Sequence, residues 1–320
     1  MLNRARRTGA TVPSRPVWGR LLDVESPLQA RAALWGYAFA LPWVLGLLLF
    51  ILGPIVVSGY LSFTEYDVLS PPTFVGLENY RTALSEDELF WPSLLRTAEY
   101  SIAYVPLGLA GSLAIALLLN ARVRGSSVFR TLFYLPTLTP AVALALLWTW
   151  LFHPTVGPVN QVLGWVGIAG PGWFQSQAWA LPAVVVVSLW AGLGGATTVI
   201  FLAGLQGVPP ALLDAAQIDG AGPWHRFRHV TLPMISPTLL FNLVLGIIAA
   251  LKVFTLAFVA TKGGPAYATW FFALHIYRES FEYFKMGYGA ALAWIFVAIV
   301  MVLTCAQLAF SRRWVHYEGD

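Results

Sequence analysis

The sequence predicts an all-α membrane protein with six transmembrane helices, and three observations carry that expectation. Of its 320 residues 58% are hydrophobic and 11% charged, against a soluble norm of roughly 45–50% and about 25%. The apolar residues come in blocks long enough to cross a hydrocarbon core of about 30 Å as helices, which disfavours a β-barrel of short alternating segments. Lysine and arginine alternate between connections. Thirteen lie on one side of the spans and five on the other, with Lys252 left inside the fifth. By the positive-inside rule both termini and the long central connection are cytoplasmic.

Residues 1–33 carry Arg4, Arg6, Arg7, Arg15, Arg20 and Arg31 among prolines and small polar residues and read as a basic cytoplasmic tail. The first span, Leu34–Tyr60, is longer than a signal-peptide core and has no small-residue cleavage site, so it reads as retained. Residues 61–96, with Glu65, Asp67, Glu78, Glu86, Asp87 and Glu88, form an acidic external loop. The second span, Thr97–Leu119, has Glu99 at its interfacial end and Pro106 within, where a kink is expected. The third, Phe129–Phe152, contains Pro136 and Pro140, and the loop His153–Gln177 that follows has no basic residue. Gly192, Gly194 and Gly195 interrupt the fourth span, Ala178–Leu202, and allow flexure or close approach. The fifth is Ser236–Val259, then a loop Ala260–Met286, then the sixth, Gly287–Phe310. Residues 34–313 thus form one transmembrane domain, followed by a cytoplasmic tail over 314–320.

Composition also excludes several functions. The net charge of +4 is spread over connections that flank membrane, with no patch that would hold nucleic acid. Cys305 is the single cysteine, so no intramolecular disulfide forms. His225 and His229 are four apart but lack a third ligand nearby, and are expected at the surface or the lipid headgroups rather than on a metal. No Gly-rich phosphate loop with its Lys and Ser or Thr is present, so this chain neither supplies the site for ATP nor is itself an enzyme.

The central connection, residues 203–235, is organised by glycine and proline. Pro210 occupies a first helical position, and Ala211–Asp219 reads as an alanine-rich helix stopped by Gly220. Gly222 and Pro223 restart a second helix, Trp224–Leu232, with Trp224 and Phe227 on one side and Pro233 ending it. A DNA-binding helix-turn-helix is excluded because flanking spans leave no third supporting helix.

The residues Asp214-Ala215-Ala216, Asp219-Gly220-Ala221, Phe227, Val230, Leu232-Pro233 and Pro237 resemble the EAA motif of ABC importer permeases. The Asp-Gly-Ala and Leu-Pro form is similar to the carbohydrate branch, which includes maltose-type, other oligosaccharide and glycerol-3-phosphate systems. Phe74-Val75-Gly76-Leu77-Glu78-Asn79-Tyr80, Leu135-Pro136 and Thr261-Lys262-Gly263-Gly264-Pro265 extend the likeness to nearly the whole chain from Leu34.

This resemblance implies a type I importer fold in a prokaryotic inner membrane, working by alternating access. The implied partners are a second homologous permease, two ATP-binding subunits that hold ATP and Mg, an extracytoplasmic solute-binding protein and lipid. It implies a cytoplasmic coupling helix in which Asp214, Ala215, Ala216, Asp219, Gly220 and Ala221 meet the ATPase, supported by Trp224, Phe227, Leu232 and Pro233. Asp214 stands where the family usually has glutamate, keeping the charge with a reach shorter by one methylene.

For the solute path the candidates are Trp148, Trp150, Trp190, Thr197, Thr198, Asn242, Lys252 and Thr255. Sugars bind through hydrogen bonds and aromatic stacking, and an ammonium inside a span faces a partner or a wet cavity, or snorkels to the interface. Thr255 stands where relatives often have aspartate. The competing readings are an ABC permease for a non-sugar solute and an ion-coupled secondary transporter, which should show paired intramembrane carboxylates or an inverted repeat.

Overall fold

The computed structural model describes residues 27–121 and 125–315. Most of the basic tail, Arg122, Arg124 and residues 316–320 lie outside the described residues. The chain divides into two compact units at Tyr60/Leu61.

The first unit is a helix: α1 (Pro27–Leu47), a π turn over Leu48–Leu52, and α2 (Gly53–Leu61). The wide turn, in which Gly53 N–H donates to Leu48 C=O, precedes Pro54, whose ring would crowd an ordinary α turn. Trp35, Phe39, Trp43, Leu49 and Phe50 are exposed around this helix, as contact with lipid tails requires.

The second unit begins with a short antiparallel ribbon, β1 (Thr64–Glu65) and β2 (Thr73–Phe74), in which Thr64 faces Phe74. Helix α3 (Glu78–Ser85) follows. The motif Gly76 to Tyr80 now has a physical role. Asn79 Nδ2 donates to Ser62 C=O at 3.0 Å and Thr64 C=O at 2.9 Å, and Tyr80 OH donates to Ser62 Oγ at 2.8 Å. These bonds satisfy backbone that would otherwise be buried without partners. A groove of about 800 Å³ opens beside them, lined by Glu65, Asp67, Glu78, Glu86, Asp87 and Glu88, with Lys285 and Glu279 paired at 3.2 Å on its far wall.

Helix α4 (Phe90–Asn120) passes through Pro106 without interruption and is the central post, packing along α9 (Ala196–Gln206) and α13 (Ser236–Leu251). With α1–α2 and the last helix, α15 (Met286–Ser311), it is long and apolar enough to cross a membrane. The other spans are broken. Three bent pairs raise the count of candidate spans among the described residues from three to as many as six.

The bend of the first pair falls within the expected third span, Phe129–Phe152, at its prolines. The helix over Ser127–Leu138, made of α5 (Ser126–Tyr134) and a 3₁₀ turn (Leu135–Leu138), meets α6 (Ala141–Leu151) at 94°. Thr139 and Pro140 are extended, which the pre-proline restriction favours. The loop His153–Gln177 then includes α7 (Pro158–Trp165) and a 3₁₀ turn over Trp173–Gln175. The second pair, α8 (Gln177–Gly192) and α9, meets at 51° at the glycines singled out in the sequence. Gly194 has φ +87°, and a Cβ there would lie 2.3 Å from Phe133 C=O, so no other residue fits.

The third pair corrects the return helix. From Pro223 the chain stays helical through Met234, as α11 (Pro223–Arg226), a π turn (Phe227–Thr231) and α12 (Leu232–Met234), before bending 69° into α13. Pro233 does not end the helix, because the preceding wide turn makes room for its ring.

The fifth span is shorter than expected. Helix α13 stops at Leu251, and a separate segment with a π turn (Ala257–Thr261) follows. Leu256 and Ala257 enter the core formed by Phe271, Leu274 and Val184, and Phe254 and Phe258 pack on Tyr277 at 5.2 and 5.0 Å. That burial redirects the chain. The loop Ala260–Met286 is likewise structured, with α14 (Phe272–Tyr277) and a π turn over Arg278–Glu282. Its Phe271, Phe272 and Leu274 are completely buried.

A polar bolt locks this end. His275, 1% exposed, donates from Nε2 to Asp87 Oδ2 at 2.7 Å, its tautomer set by Trp270 Nε1–H on Nδ1, and Tyr288 OH donates to the same carboxylate oxygen. Burial pushes the Asp87 carboxyl up, but the hydrogen bonds from His275 and Tyr288 and the electrostatic pull of the imidazole outweigh it and hold the group at about 2, below the usual 3.8. A depressed acid stabilises the fold fully above its unfolded pKa and loses that contribution as pH falls toward its folded one. Asp87→Asn should therefore cost about 2 kcal/mol at neutral pH, the loss expected when hydrogen bonds to a carboxylate become bonds to a neutral amide. It should also abolish the acid-dependent part of the melting midpoint between about pH 4 and 2, as followed by thermal unfolding in detergent.

Candidate functional site

The central connection folds as two short helices around a tight reversal. Pro209 is extended, Pro210 opens α10 (Pro210–Ile218), and Gly220 closes it at φ +82°. Gly220 N–H donates to Gln217 C=O at 3.1 Å and Ala221 N–H to Ala216 C=O at 2.9 Å, the paired bonds of a Schellman cap. The reversal is clamped by Arg226 Nη1 donating to Gln217 Oε1 at 2.9 Å.

Asp214, Ala215, Asp219 and Gly220 are exposed, and Ala216 and Ala221 are half-buried. Ile218 is 86% exposed. Water does not favour such an isoleucine, and beside Leu212 and Ala215 it makes an apolar contact surface framed by two carboxylates. Leu213, on the same helix, packs against a buried cluster of Ala116, Phe201, Leu205, Val208 and Ile235. A push on α10 is thus delivered to α4, α9 and the start of α13. Leu213 and Ile218 escape sequence reading, because a two-turn helix does not reveal which apolar residue faces in.

Of the supporting residues, Leu232 and Pro233 are half-buried in the return helix. Phe227 is half-buried and Trp224 66% exposed, their rings 5.6 Å apart. The rings of His225 and His229 stack at 5.6 Å on the same element.

The candidates for the solute path fall into separate places. Thr197 and Asn242 line one small cavity, about 40 Å³, between α4, α8–α9 and α13, with Tyr104, Ser112 and Gly246. Asn242 is 2% exposed and its Nδ2 has no hydrogen-bond partner, an expensive arrangement unless a polar guest completes it. Trp148 and Trp190 touch edge to face at 5.4 Å. Thr198 serves the backbone instead, its Oγ1 accepting from Gly194 N–H at 3.1 Å in the broken span. Lys252 caps α13, exposed, about 15 Å along the helix from Asn242. Thr255 lies beyond the break, so it and Lys252 do not share one continuous helix. Trp150 is exposed.

This combination of broken spans, a capped docking element between the fourth and fifth, and a polar cavity beside the breaks defines a membrane component of a transport system. Residues 107–316 match the binding-protein-dependent transport system inner membrane component family, and the chain belongs to it. It is 40% identical to a probable ABC transporter permease protein, YesP, of Bacillus subtilis over 89% of this chain and 92% of that one. It is 34% identical to a trehalose/maltose transport system permease protein, MalF, of Thermococcus litoralis over 91% and 98%. The fold is that of type I importer permeases. It superposes on a chain of the crystal structure of a bacterial ABC transporter involved in the import of the acidic polysaccharide alginate, with a TM-score of 0.79 at 24% identity, covering 89% of this chain and 98% of that one.

The cavity yields a test in which stability and transport move in opposite directions. Asn242→Leu removes an unpaired buried amide, so the melting midpoint should hold or rise by the equivalent of about 1 kcal/mol. Solute uptake by the reconstituted transporter should fall about tenfold, the loss expected when one hydrogen bond worth about 1.4 kcal/mol is removed from the path.

Proposed function

We propose that this chain is the permease subunit of an ATP-driven importer for a carbohydrate, a mono- or oligosaccharide or a glycerol-3-phosphate-like solute, moved inward by alternating access. The observation that carries the reading is α10: an exposed apolar and acidic surface on a rigidly capped helix, rooted through Leu213 in the ends of three membrane helices. The similarity to a trehalose/maltose permease supports the solute class.

In this mechanism two ATP-binding subunits carry ATP and Mg, and one of them receives α10. Asp214, Ala215, Ala216, Asp219, Gly220 and Ala221 form the contact, with Trp224, Phe227, Leu232 and Pro233 holding the return helix. Ala215 lets the partner approach closely, Asp214 and Asp219 accept its hydrogen bonds, and the Gly220 cap prevents the helix from yielding under load. Movement of the partner then tilts α9 and α13 about their breaks and opens the cavity lined by Thr197 and Asn242 to one side or the other.

A second homologous permease completes the pathway, and a solute-binding protein delivers the sugar to the face bearing the ribbon and acidic groove. Trp148, Trp190, Thr198, Lys252 and Thr255 complete the set of pathway positions, with Lys252 acting at the span's outer end. The arginine distribution supports cytoplasmic termini and a cytoplasmic α10.

Asp214→Lys and Gly220→Val should each reduce uptake at least a hundredfold and reduce co-purification of the ATP-binding subunits, while the chain remains inserted. Gly220→Val also costs about 1–2 kcal/mol through its left-handed backbone. Uptake at the wild-type rate in both variants would remove the coupling role.

A further inference from the structure

A second cleft, distinct from the Asn242 cavity, lies at the other end of the broken spans. It is about 310 Å³, lined by Thr149, Phe152, Phe174, Gln175, Thr261 and Pro265, where the end of α6, the 3₁₀ turn Trp173–Gln175 and the π turn Ala257–Thr261 meet. The chain runs from this end at Gln177 to the α10 end at Gln206 and returns from Ser236, so the cleft sits opposite the docking helix. No charged residue lines it.

Its polar groups point to a ligand. Gln175 is exposed and its amide makes no hydrogen bond among the described residues, leaving two donors and an acceptor at the rim. Thr149 donates to Ala145 C=O, which leaves its hydroxyl oxygen able to accept, whereas Thr261 Oγ1 is already shared among Ala257 C=O, Thr269 Oγ1 and Gly263 N–H. Beside the cleft, Trp148 Nε1 is buried without any acceptor, an indole N–H desolvated for no internal bond.

The aromatic rings form a continuous column. Trp179 meets Trp173 at 5.8 Å, Trp173 stacks on Phe152 at 4.3 Å, Phe152 meets Trp148 at 4.8 Å, and Trp148 meets Trp190 at 5.4 Å.

We propose that this cleft is an outer capture site for one neutral pyranose unit of the transported sugar. The inference rests on the carbohydrate reading above. An apolar C–H face with a rim of hydroxyls matches an aromatic wall with a free amide, and the volume is at the lower end of the range of about 300–1,000 Å³ for ligand sites, enough for a single unit. An anionic solute would find no cation to neutralise it there.

Cys305 is the single cysteine, so Cys305→Ser gives a thiol-free background. Gln175→Cys in that background, within the assembled transporter in membrane vesicles, is modified by the charged reagent MTSES with and without maltose, trehalose, maltotriose or sn-glycerol 3-phosphate. Gln161→Cys on exposed α7 serves as the control. Uptake of the same four solutes by the wild type is measured in parallel. The sugar that is taken up should slow modification at 175 at least threefold and leave 161 unchanged, and the adduct at 175 should raise the apparent KM for that sugar at least fivefold. Equal protection at 161, protection at 175 by glycerol 3-phosphate alone, or a transported sugar that protects nothing would overturn the capture site while leaving the permease assignment in place. Absence of uptake for every carbohydrate would overturn the carbohydrate reading and the capture site together.

Discussion

Backbone N–H and C=O groups inside hydrocarbon must find partners within the protein, and each one left open costs several kcal/mol. Two of the candidate spans among the described residues are nevertheless broken, and much of the architecture follows from how those breaks are covered. Thr198 Oγ1 accepts the Gly194 N–H, Gly195 N–H donates to Gly192 C=O, and Gly194 itself nests against Phe133. The unbroken α4 supplies the surface against which α9 and α13 lie. Breaks of this kind persist where irregular backbone lines protein or a cavity, and the Asn242 cavity lies beside one of them.

The two ends of the second unit are held by different kinds of contact. At one end the Asp87–His275–Tyr288 bolt, the buried aromatic residues of α14 and the ribbon held by Asn79 form a densely bonded block. At the other, α10 is attached to the spans through the apolar contact of Leu213 and exposes much of its own surface.

Much of this was legible in the sequence because it depends on near neighbours. The Gly220 stop, the Pro210 start and the flexure at Gly192–Gly195 were readable from single residues whose backbone preferences leave few choices. Pro233 misled, since the π turn Phe227–Thr231, which ends two residues before it, cancels its helix-breaking effect. The end of α13 at Leu251 was invisible, because Lys252-Val253-Phe254 contains no glycine or proline and the break is made by Leu256 and Ala257 entering a distant core. Among the site candidates, Thr197 with Asn242 and Trp148 with Trp190 meet in space, while Lys252 and Thr255 stand apart.

Sequence alone determined the membrane class, the positions of the apolar blocks and the existence of a glycine-capped helix over Pro210–Ile218. These rest on composition and on backbone preferences that act within a few residues. Tertiary structure decided which spans bend, that Asp87 pairs with His275 across 188 positions of sequence, and that Asn242 is buried with an open amide. Those outcomes depend on which surfaces close over one another, and periodicity along one helix carries no information about the partner that covers it.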